Sequence, residues 1–264
     1  MSDSRDSIEI LFQQHHPALK SYLYRMTASE ETADDLASET FVRVINHFDS
    51  FEGRSSIKTW IFSIATNLAR DHFRAQRRWV VDAQDQAKRS SSARVLLEDI
   101  HDHQQANPEV RFELVEHVDF CFTCMMKTLP LEEHVALMLS HIYDFQVNEI
   151  AQIIDKSEAV VKHLLHQARS TLRTIFEQRY ALINRNGVCY QCTELNGIFN
   201  PRQQNHEELM KLKMVQAAQR DSVNQSTLLD LRLELIRNID LFGGKSAALH
   251  LSHMRMLRAA IHDT

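Results

Sequence analysis

The chain has 264 residues, 44% of them hydrophobic, and a formal net charge of −5. That length allows about two domains with apolar cores, and the acidic balance suits a protein that binds DNA jointly with a large partner better than one that binds it unaided. Only five Gly and four Pro, with apolar residues repeated at helical spacing, predict an all-α fold. The sequence shows no signal peptide and no apolar run of membrane-spanning length, which predicts a cytoplasmic protein without membrane contact.

Two helices of opposite charge are predicted near the start of the chain. Residues 30–52 hold seven acidic side chains and one basic one, whereas residues 54–78 hold six basic side chains and one acidic one. Adjacent segments of opposite charge indicate different partners. In the basic helix, Ile57, Trp60 and Ile64 belong to an apolar stripe, which predicts that Trp60 lies in the core.

The face opposite that stripe offers cations, an amide and a hydroxyl. Such groups suit a phosphate backbone and the edges of bases, although a solvated charged surface has the same composition. The residues on this face are Lys58, Thr59, Asn67, Arg70, Asp71, Arg74 and Arg78.

A second helical segment follows the two charged helices. The polar stretch between them, residues 80–108, is predicted to be a flexible linker. Residues 109–179 are predicted to form a helix-turn-helix module. Its helices are expected over 132–143, over 147–154 and from 158 to about 176, with Ser157 as the last N-cap. The turn holds Asp155 and Lys156. An ordinary helical hairpin has the same spacing, so that alternative stays open.

The outward side of the last of these helices carries groups that can reach phosphates and base edges in a major groove. They are Lys162, His163, His166, Gln167, Arg169 and Arg173.

The four cysteines form two CxxC pairs, Cys121 with Cys124 and Cys189 with Cys192. Four thiolates in two such pairs can complete a tetrahedral zinc site, with a structural or redox-sensing role. Two alternatives stay open: a thiol redox switch without metal, and cysteines that only fill the core.

Residues 180–264 are predicted to form a C-terminal extension with three amphipathic helices, over 207–220, 227–239 and 246–262. A built-in regulator of access to polymerase or DNA and a stabilising helical addition both account for such a segment. The apolar stripe of the middle helix is expected to comprise Leu228, Leu231, Leu235 and Ile239.

The first block resembles the promoter-opening module of bacterial RNA polymerase sigma factors of the extracytoplasmic-function (ECF) type. The resemblance is carried by Asp35, Leu36, Glu39, Phe41, Phe48, Phe51, Thr59, Trp60, Ile61, Ile64, Ala65, Asn67, Leu68, Arg70, Asp71 and Arg74. The second block looks like the sigma module that binds the upstream promoter element, through Glu149, Ile150, Ala151, Ser157, Val161, Lys162, Ala168, Arg169 and Leu172. It departs from the family at the turn, where Asp155 and Lys156 replace Gly and an apolar residue, and at Val160, where Thr is common.

The resemblance implies partners for each block. Core RNA polymerase would contact the acidic helix through Asp35, Glu39, Phe41, Val42 and Asn46. The basic helix and its preceding loop, with Ser55 and Ser56 beside the flexible Gly53, would hold an unpaired promoter base, because opening a duplex without ATP requires the flipped base to be captured. In the second block, Ser157, Lys162, His163, His166, Arg169 and Arg173 would bind promoter DNA. An anti-sigma factor is a further candidate partner.

Three classes of function follow. The first is a sigma factor, a dissociable polymerase subunit that selects and melts promoters without catalysis of its own. The second is a stand-alone helix-turn-helix regulator with a metal- or redox-sensing cysteine site, which would bind duplex DNA without polymerase. The third, a thiol or metal enzyme, lacks a βαβ pattern, a nucleophile and base set and a Gly-rich phosphate loop. The sequence therefore favours a non-enzyme.

Overall fold

A computed structural model of the chain describes residues 2–74, 126–179 and 225–237. Within these ranges every regular element is helical, which confirms the all-α prediction. The helices are α1 Ser2–Thr27, α2 Glu30–His47, a short 3-10 helix Phe48–Ser50, α3 Ile57–Arg74, α4 Leu131–His141, α5 Val147–Ile154, α6 Glu158–Arg179 and α7 Gln225–Arg237.

Helices α1, α2 and α3 pack around a shared apolar core. In α1 the spacing of Ile8, Phe12, Leu19 and Leu23 keeps all four on one side of the helix, and all four are buried. Helix α2 follows α1 after a short connection. Ser29 caps α2, because its hydroxyl accepts a hydrogen bond from the Thr32 N–H in the first turn. The Phe12 ring lies 4.9 Å from that of Phe41 and joins α1 to α2.

Helices α4, α5 and α6 form the predicted helix-turn-helix. Helix α5 begins with a capping box, in which Gln146 and Glu149 bond each other's backbone N–H groups. It ends at Asp155, whose φ of +53° is left-handed, a conformation that Asp tolerates better than most residues. Ser157 Oγ accepts from the Val160 N–H at 3.4 Å, which confirms Ser157 as the N-cap of α6. The helix predicted over 147–154 is confirmed to the residue.

Helices from both predicted modules belong to one compact unit, Met1–Arg78 with Leu129–Ala168. Its centre is an aromatic cluster that joins α3 to the α4–α5 connection. The Phe62 ring lies 4.9 Å from Phe145 and 5.9 Å from Tyr143, and Tyr143 meets Tyr22 of α1 edge-on at 5.5 Å. Helix α3 is therefore buried on a second side that the sequence did not predict. Thr59, expected on the polar face, is only 2% exposed. The division that the sequence predicts, into a polymerase-binding and promoter-opening module over 1–79, a linker over 80–108, a helix-turn-helix module over 109–179 and an extension over 180–264, stays a prediction.

The described part of the second unit comprises residues 126–128, the end of α6 from Arg169 onward and α7. Helix α7 lies close to its predicted range. Among the α7 side chains that the structure describes, Leu229, Leu233 and Ile236 are buried, and Leu231, expected on the apolar stripe, is only half-buried. The other members of the predicted stripe, Leu228, Leu235 and Ile239, lie outside the described side chains. Leucines occur almost all round this helix, so its packing decides the buried face and periodicity alone does not. The helices predicted over 207–220 and 246–262 lie outside the described residues.

Substituting Phe12→Ala should lower the free energy of unfolding by about 3–5 kcal/mol, because it leaves a cavity between α1 and α2. Chemical denaturation followed by circular dichroism measures this. The matched control is Ile10→Ala on the same helix, where the side chain is 61% exposed and the expected change is within about 0.5 kcal/mol. Equal effects of the two substitutions would contradict the packing described for α1.

Candidate nucleic-acid interface

The loop between the 3-10 helix and α3 borders a cavity of about 320 Å³. Gly53 adopts a φ of +69° in this loop, which side-chain-bearing residues rarely adopt. Ser56 caps α3, its hydroxyl accepting from the Thr59 N–H at 3.0 Å. The cavity is lined by Ser50, Phe51, Glu52, Arg54, Ser55, Thr59, Trp60, Ser63 and Gln152. Of the two serines predicted to hold a base, only Ser55 is therefore part of the wall.

Trp60 is half-buried rather than enclosed in the core. The centre of its ring lies 4.9 Å from that of Phe51 and 6.4 Å from that of Phe48. Of these three aromatic residues, Phe51 and Trp60 line the cavity. Trp60 also lines a second cavity of about 330 Å³, with Arg43, His47, Ser50, Ile64 and Asn67. Arg43 and His47 were not predicted from the sequence, although their spacing of four near the end of α2 places them on one face.

Three residues of the predicted DNA-reading face of α3 contact the helix-turn-helix. Lys58 Nζ donates to the Tyr143 carbonyl oxygen at 2.8 Å and lies 4.2 Å from the centre of the Phe145 ring. The Thr59 hydroxyl donates to Glu149 Oε1 at 3.1 Å. Arg70 Nη2 donates to Glu132 Oε2 at 2.6 Å and to the Ile154 carbonyl oxygen at 3.1 Å. Burial lowers the pKa of Lys58, and the nearby carboxylates of Glu149 and Asp144 oppose that shift.

The remaining members of that face are open to solvent where the structure describes them. Asn67, Asp71 and Arg74 are exposed. Asn67 accepts from Arg70 Nη1 at 3.3 Å, and Arg74 pairs with Asp71 at 3.1 Å, one turn apart. Arg78 lies outside the described residues.

The predicted polymerase-binding residues divide into two groups. Asp35, Glu39, Val42 and Asn46 are exposed and follow each other at spacings of four, three and four, so they form one row along α2. Val42 is 54% exposed, so the row presents one apolar side chain to solvent. Phe41 is instead half-buried and packs against Phe12 of α1, so it is not part of the exposed row.

On α6 the predicted DNA-binding residues follow one side of the helix. Lys162, His163 and His166 are exposed, and Ser157 is exposed at the cap. Arg169 and Arg173 are half-buried. Arg169 Nη2 forms an ion pair with Asp230 of α7. A residue of the C-terminal extension thus pairs with an arginine that was predicted to bind DNA.

The four cysteines lie outside the described residues, and the zinc site stays a prediction. Within residues 2–74, 126–179 and 225–237, no group of three or more His, Cys, Asp or Glu side chains is arranged to hold a metal ion. Over the same residues, no helix is long and apolar enough to cross a membrane.

Comparison with known families finds one match for the segment that holds α1 to α3 and another for the helix-turn-helix segment. Residues 11–79 match the family Sigma-70 region 2, and residues 119–172 match Sigma-70, region 4. The RNA polymerase sigma factor YlaC of Bacillus subtilis (strain 168) is 32% identical over 173 residues, which are 64% of this chain and 91% of the relative. The ECF RNA polymerase sigma factor SigX of the same organism is 30% identical over 175 residues, 65% of this chain and 84% of the relative.

Among solved structures, the chain is similar to the sigma factor RpoE of Bartonella quintana, which was crystallised in complex with the anti-sigma factor NepR. The match has a TM-score of 0.43 at 19% identity and covers 64% of this chain and 96% of that one.

Glu133 in the first turn of α4 provides a pH-dependent test of how α4 and α6 pack. Its Oε2 atom is buried and has no hydrogen-bond partner among the residues the structure describes. Burial raises the pKa of this carboxyl group from 4.5, and the nearby His163 opposes the shift. The folded protein therefore binds this proton more tightly than the unfolded chain does. The resulting stabilisation is present below about pH 4.5 and is lost as the pH rises through the folded-state pKa.

Substituting Glu133→Gln should therefore raise the melting temperature at neutral pH, because no carboxylate then has to be buried. The difference from the unsubstituted protein should shrink as the pH falls below about 4.5. Scanning calorimetry over a pH series measures it. Glu158→Gln, at an exposed position on α6, is the control and should give no such gain. A Glu133→Gln melting temperature that is lower at neutral pH would contradict the assignment.

Proposed function

The chain belongs to the ECF-type sigma factors of RNA polymerase. From this membership we propose which helices bind polymerase and which bind promoter DNA. Members of this family are transcription initiation factors and not enzymes: they bind core RNA polymerase and direct it to specific promoters. One observation supports the assignment of roles. The exposed acidic row of α2 and the cavity at the start of α3 lie in the same segment that matches Sigma-70 region 2, residues 11–79. We infer that the protein acts in the cytoplasm, where bacterial RNA polymerase works.

The exposed row on α2, made of Asp35, Glu39, Val42 and Asn46, is the proposed polymerase contact. An apolar side chain next to acidic ones gives a surface that combines apolar burial with charge complementarity. Arg43 pairs with Glu39 at 2.6 Å across one turn and holds that carboxylate in place. Phe41 contributes indirectly, because its contact with Phe12 fixes the helix that presents the row.

The cavity beside Trp60 is the proposed site for an unpaired promoter base. Its wall combines an aromatic surface from Phe51 and Trp60 with the hydroxyls of Ser55 and Ser63. Aromatic rings bind a base through stacking, and hydroxyls bond its edge, which together offset an unstacking free energy of a few kcal/mol. Asn67 and Arg74, exposed further along α3, are placed to contact the strand that carries the base. Capture of the strand shifts the opening equilibrium without covalent chemistry.

Helix α6 is the proposed reader of the upstream promoter element. Lys162, His163 and His166 lie exposed along its first half, where a helix in a major groove meets base edges. Ser157 stands at the helix N-terminus, a position that favours a phosphate because backbone N–H groups point outward there. Asp155 and Lys156 in the turn leave this arrangement intact, because Asp155 accepts the left-handed backbone.

Promoter-specific transcription in vitro tests the proposal. The purified protein, added to bacterial core RNA polymerase on fragmented genomic DNA, should produce discrete RNA starts that share two upstream motifs. The stand-alone regulator predicts the opposite pattern, with specific duplex binding in the absence of polymerase and no new starts. That result, obtained with active core enzyme and with protein both reduced and oxidised, would reject the assignment.

Substituting Val42→Asp should weaken binding to core polymerase by at least about tenfold, because a charge replaces an apolar contact that binding would bury. Transcription should fall in parallel at limiting protein and recover at high protein concentration. Ile10→Asp on α1 is the matched control, since it places the same charge at another exposed apolar position. If both substitutions weaken binding equally, α2 is not the contact surface.

The ion pair between Arg169 and Asp230 supports a regulatory role for the C-terminal extension over a purely stabilising one. A carboxylate on the extension competes for the cation that a promoter phosphate would bind. Asp230→Asn should therefore strengthen binding to a duplex that carries the upstream motif by about threefold to tenfold, with a steeper salt dependence. Glu234→Gln, exposed one turn further along α7, is the control. Unchanged duplex affinity in Asp230→Asn would leave the extension with a structural role.

A further inference from the structure

Trp60 lines two cavities, the one beside the loop before α3 and a second one of about 330 Å³. Ser50 is the other residue that the two cavities share. The first cavity takes most of its wall from the loop, whereas the second takes its wall from the end of α2 and from α3. The second cavity is lined by Arg43, His47, Ser50, Trp60, Ile64 and Asn67. The two cavities are therefore neighbours, and Trp60 is part of their common wall.

The wall of the second cavity combines the groups that bind a nucleotide. Trp60 and His47 supply aromatic rings and Ile64 an apolar side chain, and bases stack against such surfaces. Arg43 supplies a guanidinium group, which suits the oxygens of a phosphate. The first cavity has the same composition, with Arg54 as its guanidinium. A base with its phosphate therefore matches the chemistry of both cavities.

Three polar side chains of the second cavity can form further hydrogen bonds. Asn67 Oδ1 accepts from Arg70 Nη1 at 3.3 Å, which leaves the NH2 group of Asn67 able to donate. The His47 imidazole has no hydrogen-bond partner among the residues that the structure describes. Arg43 bonds Glu39 through Nη2, and a guanidinium carries five N–H donors in all. The cavity can therefore recognise the edge of a base as well as its face.

The segment that carries His47 is held in place by its own local contacts. The Ser50 hydroxyl donates to the His47 carbonyl oxygen at 2.6 Å, and the Phe51 N–H donates to the Phe48 carbonyl oxygen at 2.9 Å. The Phe48 ring lies 6.4 Å from Phe51 and 6.4 Å from Trp60. A wall fixed in this way loses little conformational freedom when a ligand binds, which favours affinity.

We propose that the second cavity binds the nucleotide next to the captured base, so that two consecutive unpaired nucleotides lie on either side of Trp60. Unpaired bases of one strand can enter separate pockets, since only the backbone joins them. His47 and Asn67 then contact the second base, and Arg43 contacts its phosphate. This inference rests on the proposed function for the identity of the strand. It adds a second strand position at which the protein selects the sequence.

An abasic residue in the strand reports whether a base occupies a cavity, because it removes the stacking contact and keeps the backbone. Two occupied cavities predict two neighbouring strand positions at which an abasic residue weakens binding, by about tenfold each. One occupied cavity predicts a single such position. The protein side distinguishes the two positions, because His47 lines the second cavity and Phe51 the first, and neither residue lines both.

The experiment uses core polymerase loaded with the full chain and a forked promoter DNA whose single-stranded part carries one abasic residue at each position in turn. Competition against a fluorescein-labelled fork measures the affinity. His47 is exposed, so His47→Ala leaves the core intact. In this variant the loss at the second position should shrink by at least about threefold, while the loss at the first position stays unchanged. Phe51→Leu is the matched variant and should give the reverse pattern.

A single sensitive position, with the response expected of the first cavity, would overturn the inference and leave the proposed function standing. Equal changes at both positions in His47→Ala would overturn it as well, because His47 would then act on the fold and not on one nucleotide. If no position is sensitive in a complex that starts transcription, the proposed capture of a base is rejected together with the second cavity.

A free nucleotide has the same base and phosphate as a nucleotide of the strand, so a second arm separates the two sources. A fluorescent nucleoside triphosphate is titrated into the full chain without polymerase or DNA. The unsubstituted chain should bind this probe no more tightly than His47→Ala does. Tighter binding by the unsubstituted chain, together with abasic losses that His47→Ala does not alter, would overturn the assignment of the second cavity to the promoter strand.

Discussion

The side chain of Glu149 connects two helices at once, and much of the described structure depends on it. One carboxylate oxygen accepts from the Gln146 N–H at 2.9 Å and completes the cap of α5, while the other accepts from the Thr59 hydroxyl at 3.1 Å on α3. Helix α5 has only eight residues, too few to be stable alone in water. It therefore forms because a cap fixes its first turn and because its three isoleucines are buried against its neighbours.

The position of α5 in turn decides what α3 can contact. With α5 fixed through Glu149, its C-terminal carbonyl at Ile154 meets Arg70, and Gln152 reaches the cavity beside Trp60. The connection before α5 carries an aromatic ring onto the apolar side of α3 and a carbonyl oxygen onto Lys58. A short helix with good caps thus determines the surroundings of both Lys58 and Arg70. Function at this face depends on contacts that are long-range in sequence.

Charge is distributed in a way that matches this arrangement. The acidic row on α2 stays open to solvent and to a partner, whereas Lys58 and Arg70 on α3 have acceptors supplied by the chain itself. A fully exposed basic face would bind nucleic acid of any sequence, because the release of counterions from the phosphates favours binding whatever the sequence. Arg169 follows the same rule, because Asp230 of the extension pairs with it. A net charge of −5 is therefore compatible with local basic surfaces that are partly neutralised inside the protein.

Local sequence signals were sufficient to place α5 to the residue and to identify the N-cap of α6. Apolar spacing, the serine before α6 and an aspartate that tolerates a left-handed turn are local signals, and they placed α5 and the α6 cap correctly because such signals act within one turn of chain.

Tertiary structure alone decided which helix faces are buried. Thr59, Arg70 and Lys58 looked like one solvent face by periodicity, and α7 offered several leucine stripes of similar strength. Periodicity reports that a helix has an apolar side but not which other helix packs on its polar one. The partners of those α3 residues lie 62 to 90 positions away in sequence, on the helix-turn-helix, and only the folded chain brings them together.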